Sequence, residues 1–171
     1  MSQNPLLWPP RDPVLFAGLV AAALLAGAYA FQYAGYPPCE LCWWQRYPYM
    51  AAVILALLTK LVRALPVKFM LALLALLFAA DAGIAAFHVG VEQKWWEGLA
   101  SCSAYVDMSG GVDAALDAIM SAPVVRCDEI AWSLFGISMA GYNFLIALGM
   151  TLFLAGSIGA GSLRKDNKRK A

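Results

Sequence analysis

Charged side chains are scarce in this chain of 171 residues. Asp, Glu, Lys and Arg make up 13% of the sequence, whereas apolar residues make up 62%. The few basic residues form no stripe interleaved with aromatics, which excludes the electrostatic footprint of a nucleic-acid-binding protein. The net charge of +1 is uninformative as a sum. What is abundant is apolar sequence, in runs that exceed the roughly 20 helical residues needed to cross about 30 Å of hydrocarbon. The chain is therefore expected to be an integral membrane protein.

Four membrane-spanning helices are predicted from these runs. They are expected at about Val14 to Ala34, Tyr47 to Leu65, Val67 to Val91 and 136 to Gly161. Backbone polar groups in lipid must be paired within the segment, which is why all four runs are interpreted as helices. The expected fold is a single all-α, four-helix transmembrane bundle. Residues 35–46 and 92–135 form loops on one side of it, and residues 162–171 form a tail on the other.

The basic residues divide unevenly between the two sides of this bundle. Nine of the twelve Lys and Arg residues fall on one side, namely Arg11, Lys60, Arg63, Lys68, Arg164, Lys165, Lys168, Arg169 and Lys170. By the positive-inside rule that side is cytoplasmic, so both termini are expected in the cytoplasm and both loops outside it. All four cysteines then lie in an oxidising compartment.

The four cysteines fall into two pairs with different spacing. Cys39 and Cys42 form a CxxC pair, whose disulfide is readily reduced and re-formed because the second thiol always lies near a mixed disulfide made by the first. A bond between Cys102 and Cys127 would close a loop of about 25 residues and contribute about 3 to 4 kcal/mol. Four cysteines allow three connectivities, and the sequence does not choose among them. The spacing indicates one catalytic pair and one that could be structural.

Two cofactor sites that use cysteine fit the sequence poorly. A four-cysteine zinc site usually has a second close pair, whereas Cys102 and Cys127 stand far apart, so no metal is expected. Covalent haem attachment needs a histidine directly after the second cysteine, and Trp43 occupies that position. A pair of purely stabilising disulfides stays open as an alternative.

Two polar residues near the CxxC pair are candidate binding residues. Arg46 lies about one helical turn after Cys42, where a guanidinium favours the thiolate and would attract an electron-rich oxygen of an acceptor. The alternative is an interfacial arginine that anchors the helix to lipid head groups. His88 is the only histidine, lies at the same depth as the pair, and could donate a hydrogen bond to an acceptor carbonyl. The alternative is an ordinary interface histidine.

The second loop contains an amphipathic segment between its two cysteines. Its apolar residues recur at helical spacing and are Val112, Ala115, Leu116, Ile119 and Met120. Asp113 and Asp117 occupy the opposite face, and Pro123 closes the run. We expect a short helix that either lies along the membrane surface or packs on the rest of the loop.

Asp81 is an acidic residue in the middle of the third predicted span. An ionised side chain there costs on the order of 2.5 to 3.5 kcal/mol, so Asp81 is expected to be neutral, paired or directed into the bundle. It shares a helical face with His88, seven residues later. One hypothesis is a proton path or support for a binding pocket, and the other is a structural hydrogen bond to Asn143.

Two further patterns concern packing and the membrane boundary. Small residues at four-residue spacing are expected to let helices approach closely, in the pairs Ala22 with Ala26, Ala79 with Gly83, and Gly156 with Ala160. Six aromatic residues cluster at the outer boundary, where most are expected to anchor the helices and some to wall a pocket. They are Trp43, Trp44, Tyr47, Tyr49, Trp95 and Trp96.

Three segments together resemble the disulfide bond formation protein DsbB family. They are the run Pro38 to Arg46 (Pro-Cys-Glu-Leu-Cys-Trp-Trp-Gln-Arg), the cysteines of the second loop with Asp128 and Glu129 after Cys127, and the run Trp132 to Met139 (Trp-Ser-Leu-Phe-Gly-Ile-Ser-Met). The resemblance spans almost the whole chain in order. In the vitamin K epoxide reductase family, by contrast, the loop cysteines precede the CxxC pair.

This resemblance implies a quinone reductase of the bacterial inner membrane that reoxidises a periplasmic DsbA-like thiol oxidase, with ubiquinone or menaquinone as acceptor. The reduced partner would attack Cys102, and the released Cys127 would attack Cys39. Cys42 would then be expelled as a thiolate beside the quinone, whose oxygens would lie near Arg46 and His88. A related oxidase that serves another thiol partner stays open.

Overall fold

Four long helices and one short hairpin make up the part of the protein that the structure describes. The structure is a computed structural model that describes residues 12–62, 64–99, 116, 120 and 125–170, with side chains only up to residue 159. The helices are α1 (Pro13–Tyr33), α2 (Glu40–Leu61), α3 (Val67–Glu92) and α4 (Met139–Lys170). Strands β1 (Ser133–Leu134) and β2 (Ile137–Ser138) pair antiparallel just before α4.

Three of these helices are long and apolar enough to cross a membrane. They are α1, α3 and the segment Met139–Gly159 of α4. The prediction of an all-helical protein with long apolar helices is thus confirmed. Helix α2 is not among the three; its first turns carry Glu40, Gln45 and Arg46. A transmembrane role for α2 stays a prediction.

The boundaries of α2 and α4 differ from those expected from hydropathy. Helix α2 begins at Glu40 rather than Tyr47, because Cys39 caps it and accepts the Cys42 N–H at 3.3 Å through its sulfur. Before α4, Phe135 and Gly136 have φ values of 51° and 78°, a left-handed pair that forms a tight hairpin turn. Helix α4 therefore starts at Met139.

The core is built from small residues of α1 and α2 and larger residues of α3 and α4. Its buried residues include Ala17, Ala21, Ala52, Ala56, Leu74, Phe78, Ala147 and Leu154. Helices α1 and α2 approach each other closely, since a Cβ added to Gly18 would lie 2.6 Å from the Cβ of Ala56. Small residues thus bring α1 and α2 into near-backbone contact.

The small-residue pairs named from four-residue spacing do not make this contact. Ala22, Ala26, Ala79, Gly83 and Gly156 are all exposed, which makes that prediction wrong for these residues. The side chain of Ala160 lies outside the described part of the chain. In helices this rich in alanine, four-residue spacing occurs on every face, so spacing alone does not identify the packed one.

The six aromatic residues at the outer boundary differ in their exposure, and Trp43 is half-buried. Trp44, Tyr47, Trp95 and Trp96 are exposed, as an anchoring role requires. Tyr49 instead is buried in the core and stacks edge-on against Phe78. Its hydroxyl reaches a polar side chain on α4, described below.

The amphipathic helix predicted between Cys102 and Cys127 lies largely outside the described residues. Leu116 and Met120 are the two positions described there, and both are helical and exposed. Cys102 also lies outside the described residues. The surface helix therefore stays a prediction.

Candidate redox site

Three cysteines meet where α2 begins and α3 ends. Cys39 and Cys127 are buried, and the sulfurs of Cys39 and Cys42 lie 2.9 Å apart. The Cys127 side chain comes within hydrogen-bonding reach of Cys39, and both pack with Leu41 and Val91. A cysteine of the long second segment is thus held against the first cysteine of the CxxC pair.

Cys39 lies just before the first residue of α2, inside this cluster. Hydrogen bonds with the Cys127 and Cys42 side chains, together with burial, raise the pKa of the Cys39 thiol far above its usual range. In the reduced pair, Cys39 is therefore the less acidic thiol. Cys42, in the first turn of α2, is left as the thiol that benefits from the positive end of the helix dipole.

His88 is buried beside the cysteines rather than placed at an exposed interface. Its Nε2 lies 3.6 Å from the Cys39 sulfur, and the ring donates a hydrogen bond to the backbone carbonyl of Cys127. The same nitrogen lies 3.9 Å from Oε1 of Glu92, one turn later on α3. The ring therefore contacts one cysteine of each pair, Cys39 of the CxxC pair and Cys127 of the second loop.

A chain of buried polar side chains continues from His88 into the bundle. Nδ1 of His88 lies 2.8 Å from Nε2 of Gln45. Asn143 donates to Gln45 Oε1 at 2.7 Å and to Asp81 Oδ2 at 2.8 Å, and accepts the Tyr49 hydroxyl at 2.5 Å. The predicted bond between Asp81 and Asn143 is confirmed.

Sequence reasoning missed Gln45 and Tyr49 as members of this chain. Gln45 lies three residues after Cys42, which places both on one face of α2. Polar residues inside apolar runs are the signal that could have linked Gln45 with Asn143. The pairing itself depends on how three helices pack.

Arg46 is buried, with 5% of its surface exposed, instead of reaching outward to head groups. Its guanidinium donates to Gln32 Oε1 at 2.7 Å and to the Ala28 carbonyl at 3.3 Å. It also lies over the rings of Trp43 and Tyr29, at 4.6 and 4.7 Å from their centroids. Its Nε has no hydrogen-bond partner among the described residues.

A cavity of about 450 Å³ adjoins these residues. Its wall is mostly apolar and includes Leu24, Phe31, Trp132, Leu134 and Ile146. The polar and reactive groups that reach it are Cys39, Cys42, Gln45, Arg46 and His88. An apolar cavity with a few convergent polar groups is typical of a small-molecule site, and this volume fits a ring-sized ligand with part of a chain.

Polar contacts fix the segment that carries Cys127. The guanidinium of Arg126 donates to both carboxylate oxygens of Asp128, at 2.9 and 2.7 Å, and holds the pKa of that carboxyl below its usual value. Ser138, in β2, donates to Glu92 at the end of α3. The two neighbours of Cys127 thus bond each other, and the hairpin that follows them is bonded to the end of α3.

The same cluster contains a set of potential metal ligands. The sulfurs of Cys39 and Cys42 and a ring nitrogen of His88 lie within 4.8 Å of one another. Thiolate and imidazole are ligands that zinc accepts. The expectation that the site holds no metal stays a prediction.

Comparison with known proteins gives one consistent family. The sequence model of the family "Disulfide bond formation protein DsbB" matches residues 10–156. A disulfide bond formation protein B of Marinobacter nauticus is 32% identical over 149 residues, covering 80% of this chain and 87% of that protein. One of Verminephrobacter eiseniae is 33% identical over 159 residues, covering 89% and 88%.

An uncharacterized protein of Rickettsia prowazekii is also similar, at 28% identity over 149 residues, covering 84% of this chain and 86% of that protein. No solved structure matches the chain. The family match covers most of the chain, including Cys39, Cys42, Cys102 and Cys127. The resemblance inferred from the sequence is confirmed: the chain belongs to the disulfide bond formation protein DsbB family, whose members are membrane oxidoreductases of disulfide formation.

Proposed function

We propose that the protein is a quinone-dependent thiol oxidoreductase, which reoxidises a periplasmic DsbA-like thiol oxidase through its two cysteine pairs. One observation carries the proposal. Cys127 is buried against Cys39, while Cys42, the other member of the CxxC pair, lines the apolar cavity with Arg46. A path for electrons therefore runs from the second loop, through the CxxC pair, to a site suited to a lipid-soluble acceptor.

The cavity has the features that a quinone requires. A bound quinone supplies a two-electron, two-proton acceptor whose oxygens need hydrogen-bond donors. Arg46 brings a buried positive charge with an unused N–H, and His88 brings a ring nitrogen beside the cysteines. The apolar wall contributed by α1 and α4 suits the ring and its hydrophobic chain. Ubiquinone and menaquinone both meet this description.

The thiol chemistry balances over one cycle of exchange. The partner's thiolate attacks Cys102 of a Cys102–Cys127 disulfide, and the released Cys127 attacks Cys39, which expels Cys42 as a thiolate. The partner's second thiol then displaces Cys102 and leaves with a disulfide. Cys102 displaces Cys39 from Cys127, which restores the loop disulfide. Two electrons and two protons now reside on Cys39 and Cys42, and their transfer to the acceptor re-forms the CxxC disulfide.

The fold provides a membrane setting for this relay. The exposed residues of α2 include Ile54, Leu57 and Leu58, so its outward face is apolar although Gln45 and Arg46 lie on its buried face. We therefore include α2 as a fourth span in the bacterial inner membrane. Lys60 pairs with Asp12 at the end of the bundle opposite Cys39, which agrees with cytoplasmic termini and periplasmic cysteines.

Cysteine variants with a reduced DsbA-like partner test the relay in two steps. A partner that retains only its attacking cysteine should accumulate as a mixed disulfide on the wild-type protein and not on Cys102→Ala. Quinone binding, followed by fluorescence quenching of the tryptophans near the cavity, should be unchanged in Cys102→Ala, because that residue lies in a different segment.

Cys42→Ser should show the opposite pattern. It keeps Cys102 and Cys127, so the mixed disulfide still forms. It removes one of the two thiols that line the cavity, so the CxxC pair cannot deliver two electrons and quinone consumption stops. Continued quinone consumption by Cys42→Ser would contradict the proposal. The wild-type protein could also reduce quinone with a small dithiol but with no DsbA-like protein. That outcome would indicate a different thiol partner.

A further inference from the structure

The hydrogen-bonded chain from Asp81 to Cys39 has a defined direction. Asn143 has two amide hydrogens, and these go to Asp81 Oδ2 and Gln45 Oε1. Its oxygen accepts the hydroxyl of Tyr49. The donors and acceptors of Asn143 are therefore matched to their neighbours in one orientation of its amide group.

This orientation sets the proton position on His88. Because Gln45 accepts from Asn143 through Oε1, its Nε2 is the atom that faces His88, and an amide nitrogen only donates. Nδ1 of His88 must then be the acceptor and carry no proton. In the neutral imidazole the proton lies on Nε2, the nitrogen 3.6 Å from the Cys39 sulfur.

We propose that Asp81, Asn143 and Gln45 are positioning residues that hold His88 in the tautomer protonated on Nε2, so that this N–H is directed at the cysteines and the cavity. Asp81 is the terminal acceptor of the chain. It is fully buried, and its Oδ1 has no hydrogen-bond partner among the described residues. The proposal extends the quinone-coupled function, and its catalytic significance rests on that function.

An orienting chain fits these residues better than a proton path. Two amide side chains, Gln45 and Asn143, separate Asp81 from His88, and amides do not ionise near neutral pH. Held by Gln45, His88 is a hydrogen-bond donor to a sulfur or to an acceptor oxygen, and it is not the base that removes the Cys39 proton. The titratable groups near the two ends are Cys39, Cys42, Cys127 and Glu92 around His88, and Tyr49 beside Asp81.

The single histidine makes the tautomer directly measurable. Protein labelled with ¹⁵N in histidine only, and purified without a histidine tag, gives one pair of ring nitrogen signals. Long-range couplings to the ring protons distinguish Nδ1 from Nε2. We expect an unprotonated Nδ1 and a protonated Nε2 in the wild-type protein. A wild-type ring with its proton on Nδ1 overturns the proposal, and this measurement needs no variant to fold.

Gln45→Glu and Asp81→Asn test the chain at its two ends. A carboxylate at position 45 can only accept, so Nδ1 should become protonated in Gln45→Glu. An amide at position 81 can donate a hydrogen bond, so the side-chain amide of Asn143 can flip. Asp81→Asn should therefore show both tautomers of His88. Thr151→Val is the matched control, because Thr151 bonds only its own helix at Ala147, and its spectrum should equal that of the wild type.

Turnover distinguishes a positioning role from a merely structural one. Both chain variants should lower kcat for quinone reduction by about tenfold, the kinetic equivalent of one lost hydrogen bond to a charged group, without changing KM for the thiol partner. If Gln45→Glu and Asp81→Asn both keep the wild-type signals of the His88 ring nitrogens, the proposal is overturned. It is also overturned if these signals shift while kcat stays unchanged. If the wild type shows the expected tautomer but reduces no quinone, the proposed function fails and the tautomer assignment stands.

Discussion

At the scale of single residues, burial of Arg46 has an electrostatic cost. A buried guanidinium loses its hydration, and among the described residues it forms no ion pair. A glutamine side chain, a backbone carbonyl and two aromatic rings offset part of that cost. The unused Nε is the group that a bound acceptor oxygen would satisfy.

Arg46→Met should therefore weaken quinone binding more than it weakens folding. A hydrogen bond to a charged group contributes about 1.5 to 3 kcal/mol, so KM for quinone is expected to rise about 10- to 100-fold. Steady-state quinone reduction at saturating thiol partner measures the effect. Lys60→Met, at the exposed ion pair at the far end of the bundle, is the control and should leave KM unchanged. An unaltered KM in Arg46→Met would remove Arg46 from the quinone site.

At the scale of the helices, the α1–α2 contact determines where the cavity lies. Gly18 and Ala56 allow the two helices to touch, while Ala28 and Phe31, farther along α1, line the cavity opposite Cys42. A tight contact at one end of the pair thus leaves room at the other. The pairs expected from four-residue spacing face outward instead, because the spacing of small residues does not identify the face that a neighbouring helix covers.

Gly18→Ala should destabilise the bundle through this contact. The added Cβ would come within 2.6 Å of Ala56, so the helices must separate, at a cost of about 1 to 3 kcal/mol. Thermal unfolding in detergent measures the change. Gly149→Ala, which adds a methyl group to open space on α4, should be neutral or stabilising. The double variant Gly18→Ala/Ala56→Gly should regain most of the loss, and a failure to do so would place the strain elsewhere.

At the scale of the whole molecule, the sequence predicts the class of fold and the order of the reactive residues. Apolar runs predicted long helices, and the CxxC pair with its flanking residues predicted the family. The contact of Cys127 with Cys39 was not predictable from the sequence, because the two residues are 88 positions apart and neither hydropathy nor cysteine spacing specifies which cysteines meet. The role of Gln45 depends on α2, α3 and α4 meeting at one depth, which hydropathy does not encode.

The proposed function requires the whole molecule to connect an aqueous and a lipid phase. A thiol oxidase is water-soluble and a quinone is lipid-soluble, so in the proposed relay the cysteines would connect a surface loop to a cavity within the bundle. The described cysteines are arranged in that order, with Cys127 next to Cys39 and Cys42 at the cavity. In the proposed relay, the exchange from Cys127 through Cys39 to Cys42 thus takes place inside one protein.

The most direct test is the stoichiometry of purified protein in lipid nanodiscs, mixed anaerobically with a reduced DsbA-like partner and a limiting amount of quinone. Stopped-flow absorbance follows the quinone, and thiol titration follows the partner. We predict that one quinone disappears for each dithiol oxidised, and that both reactions stop when the quinone is exhausted. Dithiol oxidation that continues over many turnovers without loss of quinone would contradict the central claim.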